Sequence, residues 1–510
     1  MRVQQLTGVD DACRWLKAQG ASGLSADTRT LRDGDALLAW PGARHDARRQ
    51  LNEVLARRAC AAIVEEHDSA AALERLPPAQ AHRVATFADL RLAAGPIAHA
   101  FYGEPSERLD LIAVTGTNGK TSVSWGVAQA LHTAGRRCSV AGTLGMGEPG
   151  ATLESTGLTT PDAVSLHRGL DLQLRAGVTA MAIEASSIGL MEGRLQACRI
   201  RVACFTNLTQ DHLDYHGTLQ AYWAAKQRLF DWPGLAAAVV NVGNAHGQEL
   251  ARRLAAERPA VALWTVAADA PVGASAARLK VQAGGLDGEG RRCLVLVEDG
   301  AEPQTFVTPL VGSFNHENLA VVAGALRALG LSPAEAAASL SGVQAVPGRL
   351  QPVAGRHKAP KVIVDYAHTP DALGQVLAAL RPLAAERGGR LWVVFGCGGN
   401  RDSSKRPLMA AVAEARADRL VLTSDNPRDE IPAAILEQMR AGLQAPQQAD
   451  VIEDRRAAIE HAVAQAESRD VILLAGKGHE AEQEIAGVRY PFSDVVEAER
   501  ALDARSEASA

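Results

Sequence analysis

The segment that most restricts the fold begins at Leu111-Ile-Ala-Val114, a short apolar run. It passes into Thr115-Gly-Thr-Asn-Gly-Lys-Thr121 and then into a helix-forming stretch from Ser122 to Ala134, with Gly135 placed to end it. Strand, glycine-rich loop and helix in that order make a phosphate cradle. Glycines let backbone N–H groups close on phosphate oxygens, and the helix N-terminus adds partial positive charge. Lys120 can reach the outer phosphates, and Thr121 can offer a hydroxyl to Mg²⁺. The candidate nucleotide contacts are Gly116, Thr117, Asn118, Gly119, Lys120, Thr121 and Ser122. Position 114 is Val where the fuller phosphate-loop pattern has Gly. The loop does not say what the triphosphate is for: hydrolysis, kinase chemistry and ligation all fit it.

The rest of the chain extends an α/β pattern. Ala180-Met-Ala-Ile183, Val202-Ala-Cys-Phe205 and Ala238-Val-Val-Asn241 alternate with helical stretches, which predicts a mainly parallel sheet. Ser332-Pro-Ala-Glu335 carries N-cap, N1 and capping-box chemistry and opens a helix ending near Gly342. The turn Val346-Pro-Gly348 follows and marks a boundary. Residues 1–88 read as a small mixed α/β domain, with strand candidates Ala36-Leu-Leu-Ala-Trp40 and Ala61-Ala-Ile-Val-Glu65. Residues 89–345 form the central phosphate-loop domain and residues 346–510 a Rossmann-like α/β domain.

In this last region one arrangement recurs four times. Val362-Ile-Val364 runs into Asp365-Tyr-Ala-His368, and Trp392-Val-Val-Phe395 into Gly396-Cys-Gly-Gly-Asn-Arg401. Leu420-Val-Leu422 leads to Ser424-Asp-Asn-Pro-Arg428, and Val471-Ile-Leu-Leu474 to Gly476-Lys-Gly-His-Glu480. Ligands of open α/β sheets bind beyond the carboxyl ends of strands, so the four polar loops read as one binding edge.

Length and charge exclude other classes. A chain of 510 residues needs several domains, and 47% apolar with 22% charged residues is a globular balance. With 53 Lys+Arg against 58 Asp+Glu the net charge is −5, which argues against nucleic-acid binding through bulk charge. No stretch reaches 18 apolar residues and the N-terminus lacks a signal-peptide run, so no membrane insertion is expected. The seven cysteines form no CxxC pair, which predicts reduced thiols in a cytoplasm.

Polar clusters follow the central strands. Glu184-Ala-Ser-Ser187 ends one, and Asn207-Leu-Thr-Gln-Asp-His212-Leu-Asp-Tyr-His216 follows another. A carboxylate and a few N/O donors beside a phosphate loop suit Mg²⁺, so Glu184 and His212 are candidate ligands, with Asp211 in support. Lys226 lies in Tyr222-Trp-Ala-Ala-Lys226-Gln-Arg-Leu-Phe230, where spacing alone reads it as a solvated lysine opposite an apolar face. Asp425-Asn-Pro-Arg428, taken alone, is a turn.

Taken together these motifs resemble the Mur ligases of peptidoglycan synthesis, and most nearly the members that add the third amino acid, diaminopimelate. The resemblance runs in family order through Thr159-Thr-Pro161, Gly312-Ser-Phe-Asn-His-Glu-Asn318, Pro347-Gly-Arg349 and all the loops quoted above, and covers most of the chain. It implies three domains that bind, in turn, a uridine nucleotide, ATP and the incoming amino acid, and that close during the reaction. It implies uridine-diphosphate contacts at Thr28 and at Ala43, Arg44 and His45. Thr159, Thr160, Ser186, Glu192 and Arg194 would hold the muramyl-dipeptide. Asn315, Arg349 and Asp365 would join the phosphate loop around ATP. Lys226 would be an N6-carboxylysine, its carbamate oxygen joining Thr121, Glu184 and His212 at Mg²⁺, with Lys120, Glu184, His212 and Lys226 as the catalytic set. Arg401, Asp425, Asn426, Pro427, Arg428, Gly476 and Glu480 would bind meso-diaminopimelate. The guanidinium of Arg428 offers a two-pronged donor for the carboxylate that lysine lacks.

Two positions depart from the family pattern: Glu192 stands where Gln is common, and Asn241-Val-Gly-Asn244 lacks the usual acidic pair. The implied activity is ATP-dependent amide formation between a D-Glu side-chain carboxylate and diaminopimelate, through an acyl phosphate, in the synthesis of cell-wall precursors that underlie cell shape and division. A cytoplasmic monomer acting on small molecules is expected. A sister ligase, a folylpolyglutamate synthase-like ligase, a phosphate-loop kinase or ATPase, and a silent binding protein are the alternatives.

Overall fold

The computed structural model describes residues 3–42, 46–268, 277–287, 292–310, 312–355 and 359–508. Ala43, Arg44 and His45, the candidate uridine turn, lie outside the described residues. The chain packs as two compact units: Met1–Val307 with Glu317–Val343, and Thr308–His316 with Gln344–Ala510.

The first unit holds two sheets. Five strands, in the order Gln4–Leu6, Val84–Phe87, Ala61–Glu65, Asp35–Ala39 and Gly23–Ser25, form the N-terminal one. Every pairing is parallel and helices alternate with most of the strands, so this domain is α/β with a parallel sheet. The inner strands Asp35–Ala39 and Ala61–Glu65 are buried on both faces, as their largely apolar runs require. The helix Leu90–Phe101 presents Leu90, Ala94, Ile97 and Ala98 to this core, and Val164 joins it from the helix Ala163–Arg175. The boundary set at residue 88 therefore falls inside a core that continues to Phe101. The i, i+3, i+4 spacing of 94, 97 and 98 places those three side chains on one helix face.

A ten-stranded sheet follows. Asp110–Thr115 lies inside it, flanked in parallel by Ile200–Phe205 and Ala180–Glu184, with Cys138–Gly142 beyond the latter. The three strand candidates of this region all lie in this sheet. The glycine-rich loop, Glu184 and residues 206–209 thus leave the same edge from neighbouring strands. The helix Lys120–Thr133 starts two residues earlier than expected, because Gly119 (φ +84°) is its N-cap, and Gly135 (φ +77°) lies just beyond its end. Ser332 and Glu335 form the reciprocal capping box at the start of Pro333–Leu340.

The second unit is built on a six-stranded sheet in the order Gln351–Pro352, Lys361–Asp365, Val471–Ala475, Leu391–Phe395, Arg419–Leu422 and Ala449–Val451. All pairings except that of the short first strand are parallel. Apolar cores cover both faces. The four strands that end in polar loops are consecutive neighbours and point the same way, so their loops share one edge. Among the described residues no helix is long and apolar enough to cross a membrane, and all seven cysteines are unpaired.

Candidate active site

The glycine-rich loop is held from the adjacent strand end. Thr117 N–H donates to the Asn207 carbonyl at 2.9 Å, Asn118 N–H to Asn207 Oδ1 at 2.9 Å, and the Thr206 hydroxyl to the Asn118 carbonyl at 2.6 Å. Tyr222 O–H lies 3.2 Å from Thr117 Oγ1, which also bonds the Thr209 backbone. Glycine is required twice in the loop. Gly116 (φ +146°) and Gly119 (φ +84°) have left-handed backbones, and a Cβ there would strike Thr206 Oγ1 and Asn318 Oδ1. Lys120 folds back over this loop, its Nζ donating to the Gly116 and Thr117 carbonyls at 3.0 and 2.8 Å.

Glu184 is 1% exposed at the end of the next strand. Its carboxylate accepts the Thr121 hydroxyl at 3.0 Å, Thr143 N–H at 2.9 Å and the Thr143 hydroxyl at 3.1 Å. Among the described residues no Lys, Arg or His side chain pairs with it. A buried carboxylate surrounded by hydroxyls is a poor place to leave a bare charge and a good place for a hard divalent cation. Gly142 makes room for it: a Cβ there would lie 2.1 Å from Glu184 Oε1.

Lys226 is not solvated. It is 1% exposed, its Nζ donates to the Gly116 carbonyl at 2.7 Å, and it sits 4.2 Å from the Tyr222 ring centre. Two lysine ammonium groups therefore meet one carbonyl. Burial, followed by the nearby Lys120 charge, pushes the Lys226 pKa well below the ordinary lysine range. His212 stands nearer solvent with a left-handed backbone (φ +51°), its Nε2 3.5 Å from Asp211 Oδ2. Its ring centre is 6.1 Å from that of Tyr222, so Tyr222 links it to Lys226 and the loop. Among the described residues no group of three or more His, Cys, Asp or Glu side chains converges as a metal cage. The structure thus brings Lys120, Thr121, Glu184 and Lys226 to the loop and leaves His212 at its rim.

A second cluster surrounds Thr160. Its hydroxyl donates to the Glu184 carbonyl at 2.7 Å, accepts Ser186 N–H at 2.9 Å and touches Ser186 Oγ at 2.8 Å. Arg194 is fully engaged: Nε and Nη2 donate to Glu192 Oε2 at 2.9 and 2.6 Å, and Nη1 to the Thr160 carbonyl at 2.8 Å. The unusual Glu192 is thus the internal partner of Arg194. Thr159 Oγ1 lies 3.3 Å from Thr143 Oγ1, and Thr28, in the turn after the strand Gly23–Ser25, donates to Gln50 Oε1 at 2.6 Å.

In the second unit the strand-end loops interlock. Asp365 accepts Leu350 N–H and Ala367 N–H, both at 2.7 Å, and its burial pushes the carboxyl pKa up. Arg349 stacks 4.7 Å above the Tyr366 ring. Asn315 belongs to the segment Thr308–His316 of this unit. Arg428 adopts φ +52° and donates from Nη1 to the Gly399 carbonyl at 2.8 Å. Gly399 permits this approach, since a Cβ there would meet the Pro427 carbonyl oxygen at 1.9 Å. Glu480 Oε2 accepts Asn426 Nδ2 at 2.7 Å and Lys477 Nζ at 3.0 Å. Asp425 packs under Gly476 (φ +111°), and Arg401 is exposed at the edge. Gly142, Thr143 and the wholly buried Lys477 carry no local sequence signal of their place beside these groups, and Tyr222 carries only its spacing from Lys226.

Known proteins extend this geometry. Residues 114–326 match the Mur ligase middle domain, and residues 348–478 the Mur ligase, glutamate ligase domain. The chain belongs to the Mur ligase family. It is 46% identical over 510 residues, 99% of either chain, to the UDP-N-acetylmuramoyl-L-alanyl-D-glutamate–2,6-diaminopimelate ligase of Acidovorax sp. (strain JS42). It is 47% identical over 481 residues to the ligase of that name from Pseudomonas aeruginosa, covering 94% of this chain and 95% of that one. A solved structure of a UDP-N-acetylmuramoyl-L-alanyl-D-glutamate–2,6-diaminopimelate ligase superposes with a TM-score of 0.64 at 35% identity, covering 95% of both chains. Both matched segments of this Mur ligase contain the strand ends described above.

Proposed function

We propose that this Mur ligase joins meso-2,6-diaminopimelate to the D-Glu side-chain carboxylate of UDP-N-acetylmuramoyl-L-alanyl-D-glutamate, with cleavage of ATP to ADP and phosphate, in peptidoglycan precursor synthesis. The observation that carries the reading is the Arg428 loop beside Glu480, set in a chain that follows diaminopimelate ligases along nearly its whole length. In this reading the N-terminal sheet takes the uridine nucleotide, with Thr28 near it, and the central sheet takes ATP. The third sheet takes the amino acid.

The carboxylate of the nucleotide substrate attacks the γ-phosphate and gives an acyl phosphate and ADP. The amine of diaminopimelate then attacks the acyl carbon and phosphate leaves. Lys120 and the loop N–H groups neutralise charge on the transferring phosphoryl group. Thr121 and Glu184 are the groups that would hold Mg²⁺, whose bound charge would assist the same neutralisation, with His212 completing the set from the rim. Asn315, Arg349 and Asp365 serve the nucleotide. Thr159, Thr160, Ser186 and Arg194 position the muramyl-dipeptide, and Glu192 tempers the charge of Arg194.

Lys226 fits a carbamate. Burial beside Lys120 disfavours the ammonium form, and an uncharged amine adds CO₂ with loss of one proton. The resulting N6-carboxylysine would turn a buried cation into an oxygen donor next to the phosphate loop. Arg428 and Arg401 meet the second carboxylate of diaminopimelate, while Asp425, Asn426, Pro427 and Gly476 shape the pocket. Glu480, with Oε2 already occupied, offers Oε1 to the distal ammonium. The reading also includes a cytoplasmic monomer, since both nucleotide substrates are intracellular phosphates. With a net charge of −5, the attraction for these anions must be local, at the phosphate loop and the arginines named here.

The test supplies purified protein with ATP, Mg²⁺, UDP-muramyl-dipeptide and either diaminopimelate or lysine. Amide product with diaminopimelate is expected; phosphate release without amide, or a preference for lysine, refutes the reading. Arg428→Ala should raise the diaminopimelate KM roughly a hundredfold, the ~3 kcal/mol of a charged hydrogen-bonded pair.

A further inference from the structure

The hairpin of Glu482–Ile485 and Val488–Pro491 has no place in the apolar cores of its unit. None of its residues is among the buried members of either core, and Val488 and Tyr490 are half exposed. Its order must come from something other than hydrophobic burial. The structure shows hydrogen bonds, and they converge on residues 425–428. Gln483 Nε2 donates to the Asp425 carbonyl at 2.7 Å. Glu484 N–H donates to Asn426 Oδ1 at 3.0 Å, which also accepts Lys477 Nζ at 3.1 Å. Arg428 N–H donates to the Glu484 carbonyl at 3.0 Å, and Ala486 N–H to the Arg428 carbonyl at 2.6 Å. The Glu484 carboxylate lies 3.7 Å from Arg428 Nε. The hairpin thus extends one strand as a parallel bridge onto Arg428 itself.

Backbone conformation explains why such a clamp is needed. Arg428 (φ +52°) and Ala486 (φ +50°) both hold left-handed backbones that side-chain-bearing residues avoid, and they are bonded to each other. A residue stays there when its surroundings over-determine it. The left-handed turn aims the Arg428 side chain toward the Gly399 carbonyl, where Nη1 is anchored at 2.8 Å. Without the two hairpin bonds, Arg428 would relax to an ordinary backbone and its guanidinium would point elsewhere.

We propose that this hairpin is a specificity-determining element of the ligase: through Gln483 and Glu484 it fixes the direction of the Arg428 guanidinium, and so the preference for an amino acid with a second carboxylate. Gln483 and Glu484 are positioning residues that act through Arg428. The inference rests on the reading of Arg428 given above.

Gln483→Met keeps the size of this nearly buried side chain and removes its donor. The full-length variant is compared with the parent protein, with Arg428→Ala and with the double variant. The assays measure KM for diaminopimelate, ATP and UDP-muramyl-dipeptide, kcat, the diaminopimelate-to-lysine preference, and the thermal unfolding midpoint. Gln483→Met is expected to raise the diaminopimelate KM about tenfold, the loss of one buried hydrogen bond, and to lower the preference by the same factor. The other two KM values and kcat should stay as in the parent. Added to Arg428→Ala, it should change the preference no further, because both act on one group. An unchanged diaminopimelate KM, a joint rise of all three KM values with a lowered unfolding midpoint, or full additivity overturns the proposal. If Arg428→Ala alone leaves the diaminopimelate KM unchanged, the reading of Arg428 fails; if it raises that KM while Gln483→Met does not, only the hairpin proposal fails.

Discussion

Gly142→Ala tests whether Glu184 must occupy its exact cradle. The new Cβ would lie 2.1 Å from Oε1, 2.7 Å from Cδ and 2.8 Å from Cγ of Glu184. Because Cγ is among the clashing atoms, turning the carboxylate about its last bond cannot relieve the contact. The whole side chain must swing, and at 1% exposure it has no solvent to swing into. It cannot keep its bonds to Thr121 and Thr143 while doing so. Overpacking costs about 1–3 kcal/mol and each hydrogen bond to a charged acceptor ~1.5–3 kcal/mol, so a net loss of about 2–4 kcal/mol in stability is expected after partial relaxation. The functional effect should be larger. A carboxylate displaced by an ångström beside transferring phosphate lowers kcat roughly a hundredfold. Denaturant unfolding measures the first quantity. ADP release titrated with Mg²⁺ measures the second, and the half-saturating Mg²⁺ concentration should rise. Gly355→Ala, which adds a Cβ in open space, is the control. A Gly142→Ala enzyme with the parent kcat and the parent Mg²⁺ dependence would refute both the clash argument and the metal-holding role of Glu184.

Other perturbations probe separate links. Lys226→Met should remove most activity while sparing the fold, and in the parent enzyme stripping CO₂ should lower activity that bicarbonate restores; activity indifferent to CO₂ would count against the carbamate. Glu192→Gln frees Arg194 from its internal partner, so the KM for the UDP-muramyl-dipeptide should fall several-fold, by about 1 kcal/mol; a rise would mean that Glu192 orients Arg194 productively. His167 is buried, and burial depresses its pKa from 6.5 to about 4. Its folded pKa lies below the unfolded one, so its contribution is complete above pH 6.5 and is lost as pH falls toward 4. The loss amounts to about 3 kcal/mol of unfolding free energy. His167→Leu should flatten the pH dependence of urea unfolding in that window, and an equally steep profile would count against the assignment.

What was legible in the sequence follows from what short windows can encode. The phosphate loop was readable because Gly116, Gly119, Lys120 and Thr121 act within one turn of chain. The four polar loops of the last domain are readable because each apolar run is buried and stops where its polar loop begins. Their lateral order was not, because crossover helices decide which strands become neighbours: Val471–Ala475 lies between Lys361–Asp365 and Leu391–Phe395. Gly142 and Thr143 give no signal in the sequence for the same reason, since their place beside Glu184 depends on an adjacent strand.

Lys226 shows the limit most sharply. On its own helix, Leu219–Gln227, the spacing of the apolar face reads it as a solvated charge. The structure buries it because its partner is a carbonyl 110 residues earlier in the chain. One local signal did exist. Tyr222 precedes Lys226 by four residues, which puts an aromatic ring and an ammonium on one helix face, and the ring packs under Nζ. An aromatic residue at that spacing can shield a lysine from water, yet it cannot say what the lysine faces. That depends on the loop at Gly116, whose carbonyl turns toward Lys226 only because Gly116 adopts a backbone closed to side-chain-bearing residues. The burial of Lys226 is thus fixed jointly by a glycine, a tyrosine and a lysine that no single window contains.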